Sequence, residues 1–258
     1  MSVQSSLYDH DLQQTLQNRK RLRGNSNLLY WYEQLYRDVF GSVADLKSKS
    51  ILEIGSGTSP LKLFYPQVVT SDVLKLDYLD HVFDCHEIDR YDAIPDRSVD
   101  IMTMTNVLHH VKDPLVFLKK AAAKLRAGGE VVMIEPYMST LSYPIYHYLH
   151  HEPVDFSIKR PVLDAVEGPL SSSNQAIPHM LFTMRPEWLE ELSAQYDTSN
   201  VGISYFSGLS YSVSGGISRS SYLPHFIYRP LFHADRALAR LTPKLYASFF
   251  IVRLKSVG

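Results

Sequence analysis

A strand that runs straight into a glycine turn constrains this chain more than any other feature. Ile51-Leu52-Glu53-Ile54-Gly55-Ser56-Gly57 is an apolar run carrying one acid, closed by two glycines one residue apart. A short apolar run of this kind reads as a strand buried on both faces, as in a parallel sheet. Glycine accepts positive φ and has no Cβ, so the chain can turn sharply there and a ligand can lie against the backbone. Nineteen positions beyond Glu53, Val68-Val69-Thr70-Ser71-Asp72 reads as a second strand ending in an acid. At about that distance, nucleotide-binding α/β sheets place a carboxylate on ribose hydroxyls.

The alternation continues. Ser98 to Asn106 is a third strand, followed by Val107-Leu108-His109-His110. A helix is expected from Asp113 to Arg126, capped by Asp113, with Pro114 in its first position and Leu115, Leu118, Ala122 and Leu125 on one face. Gly128-Gly129, a strand from Glu130 to Ile134, and Glu135-Pro136 complete the pattern. Strands alternating with helices over 50–136 predict a parallel, doubly wound sheet.

Taken together these segments resemble the class I S-adenosylmethionine (SAM)-dependent methyltransferases, specifically the small-molecule type with a Leu-His-His turn, here Leu108-His109-His110, and a later Gly-Gly pair. The clear resemblance spans residues 50–136. It implies a Rossmann-like sheet, mostly parallel with an antiparallel edge pair, and SAM as cofactor. It also implies that Gly55 and Gly57 pass under the methionine part of SAM, with Glu53 holding the turn or, through water, the amino group. Asp72 would bind the ribose hydroxyls, Asp84 would lie near the adenine amino group, and Asn106 would border the cofactor. For Glu53 a purely structural helix-cap role stays open, and for Asp84 a solvated strand end. The family often has a third glycine near Ser59, whereas this chain reads Gly57-Thr58-Ser59-Pro60, so the next helix is expected to be short or displaced. A nicotinamide-binding domain needs Gly-x-Gly-x-x-Gly, and position 60 is proline.

Composition narrows the partners. Lys+Arg 26 against Asp+Glu 27 leaves no global basic field to recruit nucleic acid. The single cysteine, Cys85, excludes an internal disulfide and a four-cysteine zinc site. Neither a signal-peptide core nor a run near eighteen apolar residues is present, so a cytoplasmic location is expected, with the inner face of the membrane a further option.

Residues 1–49 read as a helical cap, with Leu28, Tyr32, Leu35, Tyr36 and Val39 at helical spacing between Asn27 and Phe40, and Gly41 as the stop. Arg19, Lys20, Arg21 and Arg23 are either a solvated face or a basic lip for an anionic acceptor such as a phosphate-bearing carrier. Residues 50–258 form the SAM-binding domain, interrupted by insertions at about 137–185 and 217–243. Long insertions in compact domains are commonly lids or binding loops. Between them, Pro186 to Tyr196 reads as a helix and Val201 to Val213 as strand-like; Tyr246 to Leu254 reads as the closing strand. In the second insertion Leu231, Ala234, Leu238 and Leu241 share a helical face, which fits the core or, with Arg229, Arg236 and Arg240 nearby, an anionic membrane.

Methyl transfer needs an electrophile, a nucleophile held in line about 3 Å away, and a place for the acceptor's proton. Ligands bind beyond the carboxyl ends of the strands, where His109 and His110 fall. Only one of the two is expected to face the pocket, and the resemblance favours His110; a base and a loop fastener are both open. His151 and Glu152 are candidates to contact an acceptor hydroxyl, the alternative being a helix end stopped by Pro153. His147 and His151 are four apart, but without a recognised zinc pattern no metal is expected. The tyrosine-rich insertions suit a sugar, a polyprenyl-linked glycan or an aromatic metabolite. Glu135-Pro136-Tyr137 combined with His150-His151-Glu152 is loosely similar to methyltransferases of polysaccharide gene clusters, which points to a sugar or lipid-linked glycan hydroxyl. A soluble aromatic, quinone-like or lipid metabolite is the alternative acceptor, and a catalytically inactive SAM-binding subunit the alternative class.

Overall fold

A computed structural model describes residues 3–258 apart from Pro169, Ser218, Ser220 and Tyr222, with side chains from residue 7 onward. Two helices come first: α1 (Val3–Arg23) and α2 (Ser26–Phe40). Asn25 caps α2 by accepting from the Leu28 N–H at 3.1 Å, and the Gly41 N–H donates to the Arg37 carbonyl. The expected stripe of Leu28, Tyr32, Leu35, Tyr36 and Val39 is buried, together with Trp31. Truncating a leucine such as Leu35 to alanine in a face this closed typically costs about 2–5 kcal/mol.

The sheet contains β1 (Ile51–Ile54), β2 (Val69–Asp72), β3 (His81–Val82), β4 (Val99–Thr105), β5 (Leu125–Pro136), β6 (Gly202–Tyr205) and β7 (Phe249–Lys255). Their order is β3-β2-β1-β4-β5-β7-β6. The first five are parallel, and β7 runs antiparallel to both β5 and β6. This is the Rossmann-like sheet with an antiparallel edge pair. Because strand side chains alternate between faces, each central strand feeds two cores. Leu52, Met102, Met104 and Met133 meet Leu115, Phe117 and Leu118 of α4 (Pro114–Ala121). Ile51, Ile101, Val132 and Ile134 meet α2 and the long helix His225–Leu241.

Several boundaries differ from expectation for identifiable reasons. The helix after the glycine turn, α3 (Leu61–Phe64), has four residues because Pro60 precedes it and Tyr65 leaves helical geometry. Helix α4 stops at Ala121, five residues early, since β5 pairs with β4 from Leu125 and draws the chain out. Between Pro186 and Tyr196 only Pro186–Glu190 is helical, and of Val201–Val213 only Gly202–Tyr205 is strand. The His225–Leu241 helix buries Tyr228, Phe232, Asp235 and Ala239. Its other stripe, Leu231, Ala234, Leu238 and Leu241, faces solvent, so the core reading of that stripe is corrected.

Candidate active site

At the carboxyl end of β1 the chain reverses through Gly55, whose φ is +74°. A Cβ there would collide with a methyl of Val107, so this glycine lets the turn after β4 pack onto the turn after β1. The direction a Cβ of residue 55 would take is filled by Val107. At Gly57 a Cβ would lie 2.9 Å from both Asp72 Oδ2 and Thr15 Cγ2. Asp72 accepts from the Gly57 N–H at 2.8 Å and the Leu74 N–H at 3.0 Å. Burial raises its carboxyl above the usual range, and those two N–H groups work against the rise.

Glu53 is fully buried. One oxygen accepts from Ser59 Oγ at 2.5 Å, and Ser59 also meets the Tyr36 hydroxyl at 3.1 Å. The other, Oε2, has no partner. Burial pushes Glu53 up to about 7 against the hydrogen bonds of Ser59 and Ser56. Thr15 Oγ1 and Asn106 Oδ1 are also buried without partners, and Asn106 holds a left-handed φ of 56°. Buried polar atoms are normally satisfied, and non-glycine backbone strain clusters at functional sites. Three orphaned polar atoms round one glycine turn fit a ligand carrying an ammonium and hydroxyl groups, as SAM does.

Helix α1 lies over this turn. Arg19 stacks on Tyr78, 3.6 Å from the ring centre, and the Tyr78 hydroxyl donates to the Gly57 carbonyl at 2.6 Å. Asp11, buried, accepts from the Leu170 N–H at 2.9 Å and Ser171 Oγ at 2.9 Å, tying α1 to the first insertion.

The second part of the site follows Asn106. Glu135, at the end of β5 and wholly buried, accepts from the Val107 and Leu108 N–H groups at 2.9 and 2.7 Å and binds His109 Nδ1 at 2.6 Å. His109 Nε2 lies 3.2 Å from Glu152 Oε2, and His110 Nε2 lies 3.6 Å from Glu152 Oε1. His110 Nδ1 is 3.0 Å from the Ser172 carbonyl, and Gln175 donates to Glu152 at 2.7 Å. Both imidazoles therefore reach Glu152, their rings 4.4 Å apart. Neither keeps an ordinary histidine pKa. Burial alone would lower His109, but the Glu135 and Glu152 carboxylates outweigh it and hold it at about 10. Burial, then the neighbouring His109 charge, pushes His110 down to about 4. Burial would raise Glu152, yet His109 and His110 keep it well below the usual carboxylate range.

Other expected residues stand apart. His151 is 79% exposed and 3.8 Å from Glu152, at the rim. His147 stacks on Tyr143. Among the described residues, the groups spaced to hold a metal are Asp84-Cys85-His86 and His109-His110-Glu152, and neither includes His147 or His151. Asp84 is exposed, caps the turn Cys85–Arg90 and binds His86 Nδ1 at 2.9 Å. Of the basic residues of α1, Arg19 turns onto Tyr78, while Lys20 and Arg21 line a cavity of about 530 Å³ with Asn25, Asn27 and Arg219. Sequence reasoning missed Asp11, Thr15, Tyr78, Ser172 and Gln175, which carry no motif; Glu135 was read as a strand end and as part of a resemblance, not as a site residue.

This sheet, with its glycine turn and edge pair, defines a Rossmann-like class I methyltransferase fold. A family model described as a methyltransferase domain matches residues 28–169, more than half of the chain. The chain belongs to that family: it is a SAM-dependent methyltransferase, with SAM as its cofactor. Similar solved structures include a SAM-dependent methyltransferase from Archaeoglobus fulgidus, at 16% identity over 87% of this chain and 94% of that one, TM-score 0.48. Another, from Thermotoga maritima, gives 12% identity over 95% and 100%, TM-score 0.49. Phosphoethanolamine N-methyltransferase 2 of Haemonchus contortus, in complex with SAM, gives 11% over 88% and 53%, TM-score 0.46, so this chain spans about half its length. No curated protein matches the chain. Among the described residues no helix is long and apolar enough to cross a membrane.

Proposed function

We propose that this enzyme methylates a hydroxyl of a sugar or lipid-linked glycan in cell-envelope polysaccharide biosynthesis. The observation that carries this reading is the buried His109-Glu135-Glu152-His110 network on the turn after Asn106, held under the first insertion. SAM supplies the methyl group as a sulfonium electrophile. The chain supplies positioning. Glu53 Oε2 receives the ammonium, Asp72 the ribose hydroxyls, Asn106 the cofactor's inner edge, and Asp84 the outer, adenine end. Gly55 and Gly57 shape the turn that brings these groups together. Residues 1–49 act as the cap, with α1 shutting the turn from water through Thr15, Arg19 and Asp11.

On the acceptor side Glu152 and His110 orient the hydroxyl and favour loss of its proton, His109 fixes Glu152, and His151 guards the rim. Buried tyrosines extend from one part to the other. Tyr36 bonds the Ser59 that serves Glu53, and Tyr146 and Tyr211 are raised by burial with the Glu152 charge adding to it. Flat rings carrying hydroxyls suit a sugar face. The cavity beside Lys20, Arg21 and Arg219 is the place for a carrier phosphate. The exposed stripe Leu231, Leu238 and Leu241 then rests on the cytoplasmic membrane face where such carriers reside, with Arg229 as its basic contact, since Arg236 and Arg240 are engaged by Asp38.

Incubating the enzyme with methyl-labelled SAM and fractionated extract of the cells that make it tests this. Alkali-stable label should enter the glycan fraction, and the protein should sediment with anionic vesicles less strongly as salt rises. Label confined to a soluble aromatic, quinone-like or lipid metabolite would retire the glycan.

A further inference from the structure

We propose that His109, His110 and Glu152 form a site for a divalent cation of the zinc type, with the fourth position open to water or to the acceptor hydroxyl. Ligand spacing is the first ground. Zn–N and Zn–O bonds of about 2.0–2.1 Å put tetrahedral ligands about 3.3 Å apart. Here His109 Nε2 lies 3.2 Å from Glu152 Oε2 and His110 Nε2 3.6 Å from Oε1 of the same carboxylate, and one ligand atom from each residue can be taken with all three within 4.8 Å of one another.

The outer partners are the second ground. His109 Nδ1 faces the Glu135 carboxylate and His110 Nδ1 faces the Ser172 carbonyl. Each acceptor fixes a ring proton on Nδ1, an arrangement typical of metal-bound histidines, and the second proton of His109, on Nε2 toward Glu152, leaves to solvent as the ion binds. His110 Nε2 then points at a carboxylate, which has no proton to offer. At 3.6 Å His110 and Glu152 make no hydrogen bond. A cation there satisfies His110 Nε2 and takes the place of the proton between His109 and Glu152.

Charge is the third ground. Two carboxylates, Glu135 fully buried and Glu152 mostly so, carry two negative charges. One protonated imidazole offsets half of that, whereas a divalent ion offsets all of it. Gln175 and the Val107 and Leu108 N–H groups hold the carboxylates in place whether or not the ion is bound. A hydroxyl in the fourth position of such an ion is acidified, which deepens the acceptor-side role given to this cluster without depending on the identity of the acceptor.

The test uses the full chain, stripped with chelator and titrated with Zn²⁺ and with Co²⁺ in the absence of acceptor. Wild type should take up one equivalent, with the intense visible bands of four-coordinate cobalt. Glu152→Gln and His110→Ala should lose those bands, and Glu135→Gln should weaken uptake about 10–100-fold. SAM binding by the same variants serves as the check that they are folded. Uptake that is absent in wild type, or unchanged in folded Glu152→Gln, overturns the cation site. Since no acceptor is present, that failure leaves the glycan reading untouched, and label missing from glycans leaves the cation site untouched.

Discussion

Around the glycine turn, the polar partners sit close together in sequence: Glu53, Ser56, Gly57, Ser59 and Asp72 fall within twenty positions. Around His109 they come from far away, Glu135 being 26 positions on and Ser172 lying 62 from His110. The first part is largely a backbone device, in which a strand end, a left-handed glycine and N–H groups fix where a cofactor lies. The second is a side-chain device, assembled only when β5 and the first insertion close over the turn after β4. The contrast predicts separable failures, with cofactor affinity following the first part and methyl transfer the second.

The largest effect should come from the second part. His110→Ala is expected to lower turnover by about 10²–10⁴-fold while SAM affinity, read by calorimetry, stays where it was. Equal losses of both would erase the distinction. Glu135→Ala should follow, at about 3–5 kcal/mol of stability in denaturant titration, because it strands buried donors and an imidazole that it now satisfies. A small loss there would mean that the network is looser than its distances imply.

In the first part, Asp72→Ala should weaken SAM binding by about 1.5–3 kcal/mol through lost charge-assisted hydrogen bonds, leaving the His109 cluster intact. The smallest effect is a pH slope. Glu53 sits at about 7 in the fold, above its ordinary 4.5, so its contribution to folding is present below 4.5 and lost as pH rises through about 7. An ammonium ligand prefers the ionised form. SAM affinity should therefore rise by up to about tenfold per pH unit below 7 and level off above it, and Glu53→Gln should flatten the curve. The histidines carry opposite signs. His109 contributes stability below 6.5 that is lost as pH rises through about 10, whereas His110 contributes above 6.5 and loses it as pH falls toward 4. Neither histidine should itself give turnover an inflection near 6.5.

The same contrast explains what the sequence made legible. The parallel strand–helix alternation and the short α3 follow from local signals: apolar runs, paired glycines, and a proline where a third glycine would stand; the antiparallel edge pair came only with the family resemblance. Gly55 was legible as a turn but not in its reason, because nothing local says that Val107 packs against it. Glu135 and Glu152 each looked like the end of an element, and only the fold brings them to opposite sides of His109. The stripe on the His225–Leu241 helix misled because two apolar stripes share it. The one with Tyr228 and Phe232 won the core through its larger buried rings, leaving Leu231 and Leu241 outside.

The central claim is that one ligand bridges these two parts. A crystal structure with the demethylated cofactor product tests it most directly. The amino group is expected at the unpartnered oxygen of Glu53, the ribose at Asp72, and the sulfur turned toward His110 and Glu152. A product bound away from Glu53, or with its sulfur directed away from that pair, would contradict it.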